Sequence, residues 1–134
     1  MYTAMDRDEI AALGASLRRI DQKLLKKNSS IDRLWYQGEE SYFDIFFEIE
    51  NNEIIWFQFT LRGKVLLWDR QNPIIQTGKT NELGIGDVGY YAASKLIKMD
   101  RKADRAFIKL VESILQTRSG EDIFDRVLTL FKDY

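Results

Sequence analysis

Residues 42–70, YFDIFFEIENNEIIWFQFTLRGKVLLWDR, decide the fold. Aromatic and β-branched residues alternate with polar ones on either side of Asn51-Asn52, and a further apolar run follows Gly63. Alternation with a period of two is typical of strands that bury one face. The short polar breaks between the runs favour tight hairpin turns. This stretch therefore predicts an antiparallel β-meander.

Extended to its neighbours, the same pattern predicts four strands and a short fifth one. The predicted bounds are 32–37, 42–50, 54–62, 64–70 and 74–77. The side chains of the strand over 42–50 divide between two faces. Phe43, Ile45, Phe47 and Ile49 fall on one face, and Tyr42, Asp44, Phe46, Glu48 and Glu50 fall on the other. We expect the first of these faces to be buried.

The register follows from the requirement that the buried face be apolar throughout. A two-residue turn at Asn51-Asn52 would oppose Phe47 to Trp56 and mix the faces. A slip of one residue turns every side chain over, so we expect a three-residue loop over 51–53 instead. That loop gives the pairs Ile49–Ile55, Phe47–Phe57 and Ile45–Phe59. A two-residue turn at Arg62-Gly63 then gives the pairs Phe59–Leu66 and Phe57–Trp68.

A helix is predicted before the meander, over Arg7 to Lys27. Asp6 precedes it and Glu9 follows three residues later, a pattern that favours an N-terminal cap at Asp6. Apolar residues recur along one stripe of this helix, at Ile10, Leu13, Leu17, Ile20 and Leu24. Two interpretations of the stripe stay open: packing against the domain's own sheet, and the seam of a coiled-coil homodimer.

Further helices are predicted after the meander. Their bounds are Asp87 to Lys98, Arg101 to Arg118 and Glu121 to Tyr134, and Gly120 separates the last two. The order of helix, meander and helices predicts an α+β fold in which the C-terminal helices pack on one face of the sheet. No linker-like composition interrupts the chain, so residues 1–134 are predicted to form a single domain.

The composition closes several classes of chemistry. The 134 residues include 20 Lys and Arg, 21 Asp and Glu, and neither His nor Cys. The chain therefore has no thiolate nucleophile, no imidazole base and no zinc-finger ligands. Any catalysis would rest on carboxylates, Lys, Tyr or Ser, and no constellation of these stands out. We name no catalytic residue and no metal ligand, and the composition leans away from an enzyme.

One stretch of the chain matches a known phosphate-binding sequence pattern. Residues 84–89, GIGDVG, match G-x-G-x-x-G, which cradles a dinucleotide where a strand precedes it and a parallel strand follows. Residues 79–83 make a poor strand, and the residues that follow the pattern are predicted to be helical, so no parallel strand follows. We interpret the glycines as a turn into a helix and predict no cofactor.

The polar side of the meander carries carboxylates together with large apolar side chains. In the predicted register Phe46, Trp56 and Leu67 lie near one another, with acids around them. Aromatic residues dominate contact hot spots, so this face is a candidate partner surface unless the first helix covers it. The candidate surface consists of Tyr42, Asp44, Phe46, Glu48, Trp56 and Leu67.

A basic stripe is the second candidate site. Its cations lie opposite the apolar face of the helix predicted over 101–118, or just before that helix. The candidate anion contact consists of Lys98, Arg101, Lys102, Arg105 and Lys109. A solvated helix face is the ordinary interpretation, and contact with an anion, a nucleic acid or an acidic protein is the alternative. The net charge of −1 is too balanced for composition alone to indicate nucleic-acid binding.

Together these features favour a small non-catalytic binding or regulatory module that acts through protein–protein contact. Its partner is expected to be another protein or a second copy of the chain. The alternative is a single-stranded nucleic-acid-binding module that uses the sheet aromatics or the basic stripe. Carboxylates beside the aromatics would repel phosphate and argue against that alternative. No apolar run is long enough for a membrane helix and no secretory signal is visible, so we expect a cytoplasmic protein.

Overall fold

The computed structural model describes residues 6–20, 31–80 and 97–132. Helices α1 to α3 span Arg7–Ser16, Arg105–Gln116 and Asp122–Leu128, and a 3-10 turn over Thr129–Phe131 follows α3. Strands β1 to β7 span Arg18–Ile20, Ile31–Gln37, Asp44–Glu50, Glu53–Leu61, Lys64–Asp69, Asn72–Thr80 and Ile97–Met99. These elements confirm the α+β class.

The strands form one antiparallel sheet whose spatial order is the order of the chain, from β1 to β7. The predicted meander is therefore confirmed, but the expected number of four to five strands is too low, since the sheet has seven. The strands that the sequence missed, β1 and β7, have three residues each. A strand of that length is too short to show an alternation that distinguishes it from a helix end.

At the centre of the sheet the paired residues are those that the alternation predicts. The pairs are Phe47–Phe57, Ile45–Phe59, Phe59–Leu66 and Phe57–Trp68. Arg62 and Gly63, with φ values of 51° and 80°, form the two-residue turn between β4 and β5. Positive φ at both positions matches the right-handed twist of the adjoining strands. The central strands therefore share one apolar face, the core face.

The turn between β3 and β4 differs from the predicted three-residue loop. Asn51 and Asn52 alone form it, with φ values of 52° and 65°. A β-bulge next to the turn sets Ile49 opposite Ile54 instead of Ile55. Because the bulge takes up one residue, a tight turn and an apolar core face coexist. The sequence prediction had assumed that a two-residue turn would mix apolar and polar side chains on the core face.

The N-terminal helix begins as predicted and ends early. The Asp6 carboxylate accepts a hydrogen bond from the Glu9 N–H at 2.8 Å, which confirms the cap. The helix ends at Ser16, and residues 18–20 pair with β2, so the predicted continuation as a helix is wrong there. The remainder of that prediction, residues 21–27, lies outside the described residues.

The apolar stripe of α1 enters the core of the same molecule. Leu13 and Leu17 are 6% and 3% exposed, and both belong to the cluster of buried apolar side chains. Gly14 lies so close to α2 that an added Cβ would be 1.8 Å from the Thr117 hydroxyl. Helix α1 therefore packs beside α2 in the core of the same molecule. The neighbour that these contacts show is a helix, whereas the first interpretation of the stripe expected the sheet.

Helices α2 and α3 cover the core face of the sheet. The ring of Phe107 lies 6.3 Å from that of Phe59, and the ring of Phe124 lies 6.4 Å from that of Phe47. All four side chains are at most 1% exposed. Full burial of each such side chain contributes about 1.5–3 kcal/mol, so this layer dominates the stability of the fold.

Helix α2 begins later than predicted, at Arg105 rather than Arg101. Asp104 caps it, because its carboxylate accepts a hydrogen bond from the Phe107 N–H at 3.1 Å. The same carboxylate also accepts a hydrogen bond from Lys64 Nζ at 2.8 Å. Burial alone would raise the pKa of Asp104. The bonds from Lys64 and from the backbone outweigh burial and hold that pKa below its usual value.

Two further helix predictions meet the structure only in part. The helix predicted over 87–98 is wrong at its end, where Ile97–Met99 forms β7, and its residues 87–96 lie outside the described residues. Residues 84–89, with the GIGDVG pattern, also lie outside them. The last predicted helix ends at Leu128 and gives way to the 3-10 turn.

Candidate binding surface

The side of the sheet that faces away from the described helices, the outer face, is built of three rows of side chains across neighbouring strands. The buried row consists of Asp44, Thr60, Val65 and Gly78. The aromatic row consists of Trp35, Phe46, Gln58 and Leu67. The charged row consists of Arg33, Glu48, Trp56 and Asp69. Each row runs across the strands, so a contacting molecule would meet side chains from four strands at once.

The buried row is closed to solvent. Asp44 is 3% exposed, and Thr60 and Val65 are 0% exposed. Asp44, although it is one of the predicted partner-surface residues, therefore does not offer its carboxylate at an accessible surface. The part of the outer face that a partner could contact lies in the other two rows.

The aromatic row centres on a stacked pair. The rings of Trp35 and Phe46 lie 5.4 Å apart with an angle of 11° between their planes, and both side chains are half-buried. The indole Nε1–H of Trp35 is buried and has no hydrogen-bond acceptor among the described residues. Gln58, 1% exposed, separates Phe46 from the half-buried Leu67. The row thus presents large apolar side chains that keep part of their surface in water.

The charged row places an indole among ion pairs. Trp56 lies opposite Glu48 on one side and Asp69 on the other, and it is half-buried. Arg33 Nε lies 3.0 Å from a Glu48 carboxylate oxygen. Exposed ion pairs of this kind stabilise a fold by well under about 1 kcal/mol, so their main effect is on the charge pattern of the surface.

A second ion pair lies further along the same end of the sheet. Arg70 reaches Glu50 at 3.2 Å. Glu53, opposite Glu50 at the hairpin, is exposed. No group of three or more metal-ligating side chains occurs among the residues that the structure describes. The acids of this end therefore form a charged rim around the aromatic centre, partly balanced by arginines.

The predicted partner-surface residues are brought together in part. Phe46, Glu48, Trp56 and Leu67 share the accessible rows of the outer face. Tyr42 precedes β3, in a turn with φ 60°, and is half-buried.

The sequence analysis missed Trp35. Its signal was available, because alternation in residues 31–37 opposite β3 places this side chain beside Phe46. The alternative in which the first helix covers this face is not met for its described part, since α1 packs beside α2 in the core.

The predicted basic residues are all exposed. Lys98 lies on β7, Arg101 and Lys102 lie in the segment before α2, and Arg105 and Lys109 lie on α2. Among the described residues no carboxylate lies within ion-pair distance of any of them. These residues therefore form a solvent-exposed cationic surface, whose charge is opposite to that of the acidic rim.

A comparison of the chain with protein-family models, with curated proteins and with solved structures finds no match. None of the helices in the described part of the chain is long and apolar enough to cross a membrane.

Proposed function

We propose that the chain is a non-catalytic binding module that contacts a partner protein through the aromatic and charged rows of its outer face. The observation that carries the proposal is the stacked pair of Trp35 and Phe46 beside Trp56. A sheet face that only contacts water does not require two tryptophans, and Trp is among the residues most enriched in interface hot spots.

The charges around the aromatics indicate the partner's chemistry. The charged row and the adjoining hairpin carry Glu48, Glu50, Glu53 and Asp69 against Arg33 and Arg70, which leaves an excess of two negative charges. Charge complementarity favours encounter with a surface of opposite sign. The expected partner therefore carries an apolar patch within a mildly basic rim. Phosphate, by contrast, would be repelled by these carboxylates.

The test uses the tryptophan that is central to the charged row. The tagged chain captures a protein partner, and the affinity of the purified pair is measured by calorimetry. Trp56→Ala is expected to weaken binding by about 2 kcal/mol or more, close to a thirtyfold loss, as for hot-spot aromatics. Trp68→Ala, on the core face, is the matched control, and it should lower Tm without changing the affinity of the folded protein.

Two results would count against the proposal. One is a folded Trp56→Ala variant that keeps full affinity for the purified partner. The other is a partner whose binding is lost equally on Trp68→Ala at a temperature where that variant is folded, because loss of binding would then report stability and not contact.

A further inference from the structure

The strongest feature outside the outer face is a row of lysines across β5, β6 and β7. Lys64 lies directly opposite Lys79, and Lys79 lies directly opposite Lys98, on the side of the sheet that carries the helices. Like charges directly opposite one another destabilise an antiparallel pair. The sequence analysis did not find this row, because it predicted a helix at residues 97–98.

Within the described residues, Lys64 alone of this row has an acidic partner. Lys64 Nζ lies 2.8 Å from an Asp104 carboxylate oxygen. Lys79 and Lys98 are exposed, and among the described residues no carboxylate pairs with either. Neighbouring strands are about 4.8 Å apart, so Lys79 and Lys98 lie one and two strands beyond Lys64, and we call these two lysines the shelf.

The other predicted cations follow Lys98 along the chain. Arg101 and Lys102 lie in the segment that leads from β7 to α2, Arg105 lies in the first turn of α2, and Lys109 lies one turn further. We call Lys79, Lys98, Arg101, Lys102, Arg105 and Lys109 together the basic surface.

Among the described residues, the basic surface has few acids near it. With Lys64 added, residues 97–110 and Lys79 carry seven basic and two acidic side chains, net +5. Both acids are engaged: Asp104 binds Lys64, and Asp100 accepts a hydrogen bond from the Thr77 hydroxyl at 2.7 Å. The chain's overall charge of −1 therefore hides a strongly segregated surface.

We propose that the basic surface binds the phosphate backbone of a nucleic acid. An extended polyanion would relieve the repulsion between Lys79 and Lys98 and neutralise cations that come from a strand pair, a loop and a helix. The alternative of an acidic protein is less well supported, because the described residues of the basic surface include no aromatic anchor of the kind on which protein interfaces depend. Backbone contacts need only cations, and their energy comes from counterion release.

The inference is independent of the proposed contact at the outer face. Phosphate bound at the basic surface would lie on the helix side of the sheet, away from the carboxylates around Trp56. A chain can therefore carry both contacts, and loss of one leaves the other measurable.

The test is fluorescence anisotropy with labelled duplex DNA and single-stranded DNA of mixed sequence, each of about 20 nucleotides per strand, over about 50–200 mM salt. The wild-type affinity is expected to fall steeply with salt. The triple variant Lys98→Gln/Lys102→Gln/Arg105→Gln should reduce the slope of log K against log salt by about 2.7 on duplex DNA and about 2.1 on single-stranded DNA, and weaken binding about a hundredfold or more near 0.1 M salt.

A matched triple variant controls for charge. Arg18→Gln/Arg19→Gln/Lys132→Gln removes the same number of exposed cations elsewhere, and it should leave the affinity and the slope close to wild type. Circular dichroism confirms that both variants are folded, which is expected because every substituted side chain is exposed.

Three outcomes overturn the proposal. They are the absence of salt-dependent binding by the wild type, equal losses in the two triple variants, and competition by poly-L-glutamate at the same charge concentration as effective as competition by DNA. The last outcome would assign the basic surface to acidic proteins instead.

Discussion

Arg118 joins the N-terminal helix to the C-terminal ones, and its removal gives a sharp test of the packing. One guanidinium nitrogen donates to the backbone carbonyls of Gly14 at 2.9 Å and of Leu17 at 2.7 Å. The same side chain pairs with the Glu121 carboxylate, and it lies 5.0 Å from the centre of the Phe124 ring. The side chain is only 20% exposed.

The cost of Arg118→Ala follows from these contacts. Hydrogen bonds from a charged donor contribute about 1.5–3 kcal/mol each, and partial access of water to the vacated carbonyls lowers that figure. Both carbonyls lose the Arg118 donor, but the Gly14 carbonyl keeps a hydrogen bond from the Leu17 N–H, so the loss falls mainly on the Leu17 carbonyl. We expect a loss of about 2–3 kcal/mol in the free energy of unfolding, or roughly 6–12 °C in Tm.

Urea unfolding followed by tryptophan fluorescence measures this cost, and Glu121→Ala is the control. Glu121 is half-exposed, so loss of its ion pair alone is expected to cost under about 1 kcal/mol. Arg118→Lys keeps the charge without the planar fork, and it should fall between the two. The reasoning is refuted if Glu121→Ala is as costly as Arg118→Ala, because the ion pair and not the carbonyl bonds would then hold α1.

Two further predictions concern the start of α2 and its contact with α1. The pKa of Asp104 is lowered in the folded protein, so its contribution to stability is present above its unfolded pKa of about 3.9 and is lost as the pH falls through the folded value. Asp104→Asn keeps a capping side chain but loses the pairing with Lys64, so its destabilisation, measured by urea unfolding, should be present at pH 7 and shrink below about pH 4. A deficit that is unchanged at low pH would contradict this. Gly14→Ala would place a Cβ 1.8 Å from the Thr117 hydroxyl, so we expect a loss of about 1–3 kcal/mol, with Gly14→Ala/Thr117→Ala recovering part of it in a double-mutant cycle.

The sheet was predictable because its centre obeys one simple rule. Burial of Phe47, Phe57 and Leu66 on one face fixes the register of three strands, and sequence alternation records that burial directly. Local turn chemistry was less informative, because a bulge beside Asn51-Asn52 offsets the residue count.

The helix ends were predicted less well, because tertiary pairing decides them. The spacing that includes Leu17 suits a helix, yet hydrogen bonds from Arg118, 101 residues away in sequence, are made to the end of α1. Similarly, α2 starts at Arg105 because Asp104 caps it, and Lys64, from β5, pairs with that cap. No window of neighbouring residues contains such partners.

The sequence identified part of each candidate surface, and the strand pairings of the sheet add further residues to both. Trp35 lies beside Phe46 because β2 pairs with β3, a pairing that was not assigned from the sequence. Lys79 lies opposite Lys98 because β6 pairs with β7, where a helix was predicted. The burial of Asp44 was likewise invisible, since alternation sorts side chains between faces without saying what covers each face.

The sequential order of the seven strands bears on how the chain folds. Each strand pairs with its neighbour in the chain, and three of the connections are turns of two residues. Loops of this length close quickly and at a small entropic cost, so zipping from one hairpin to the next is the expected route. The docking of α1 onto α2, by contrast, requires residues 104 positions apart to meet. The two ends of the molecule are therefore expected to join last, and to separate first when it unfolds.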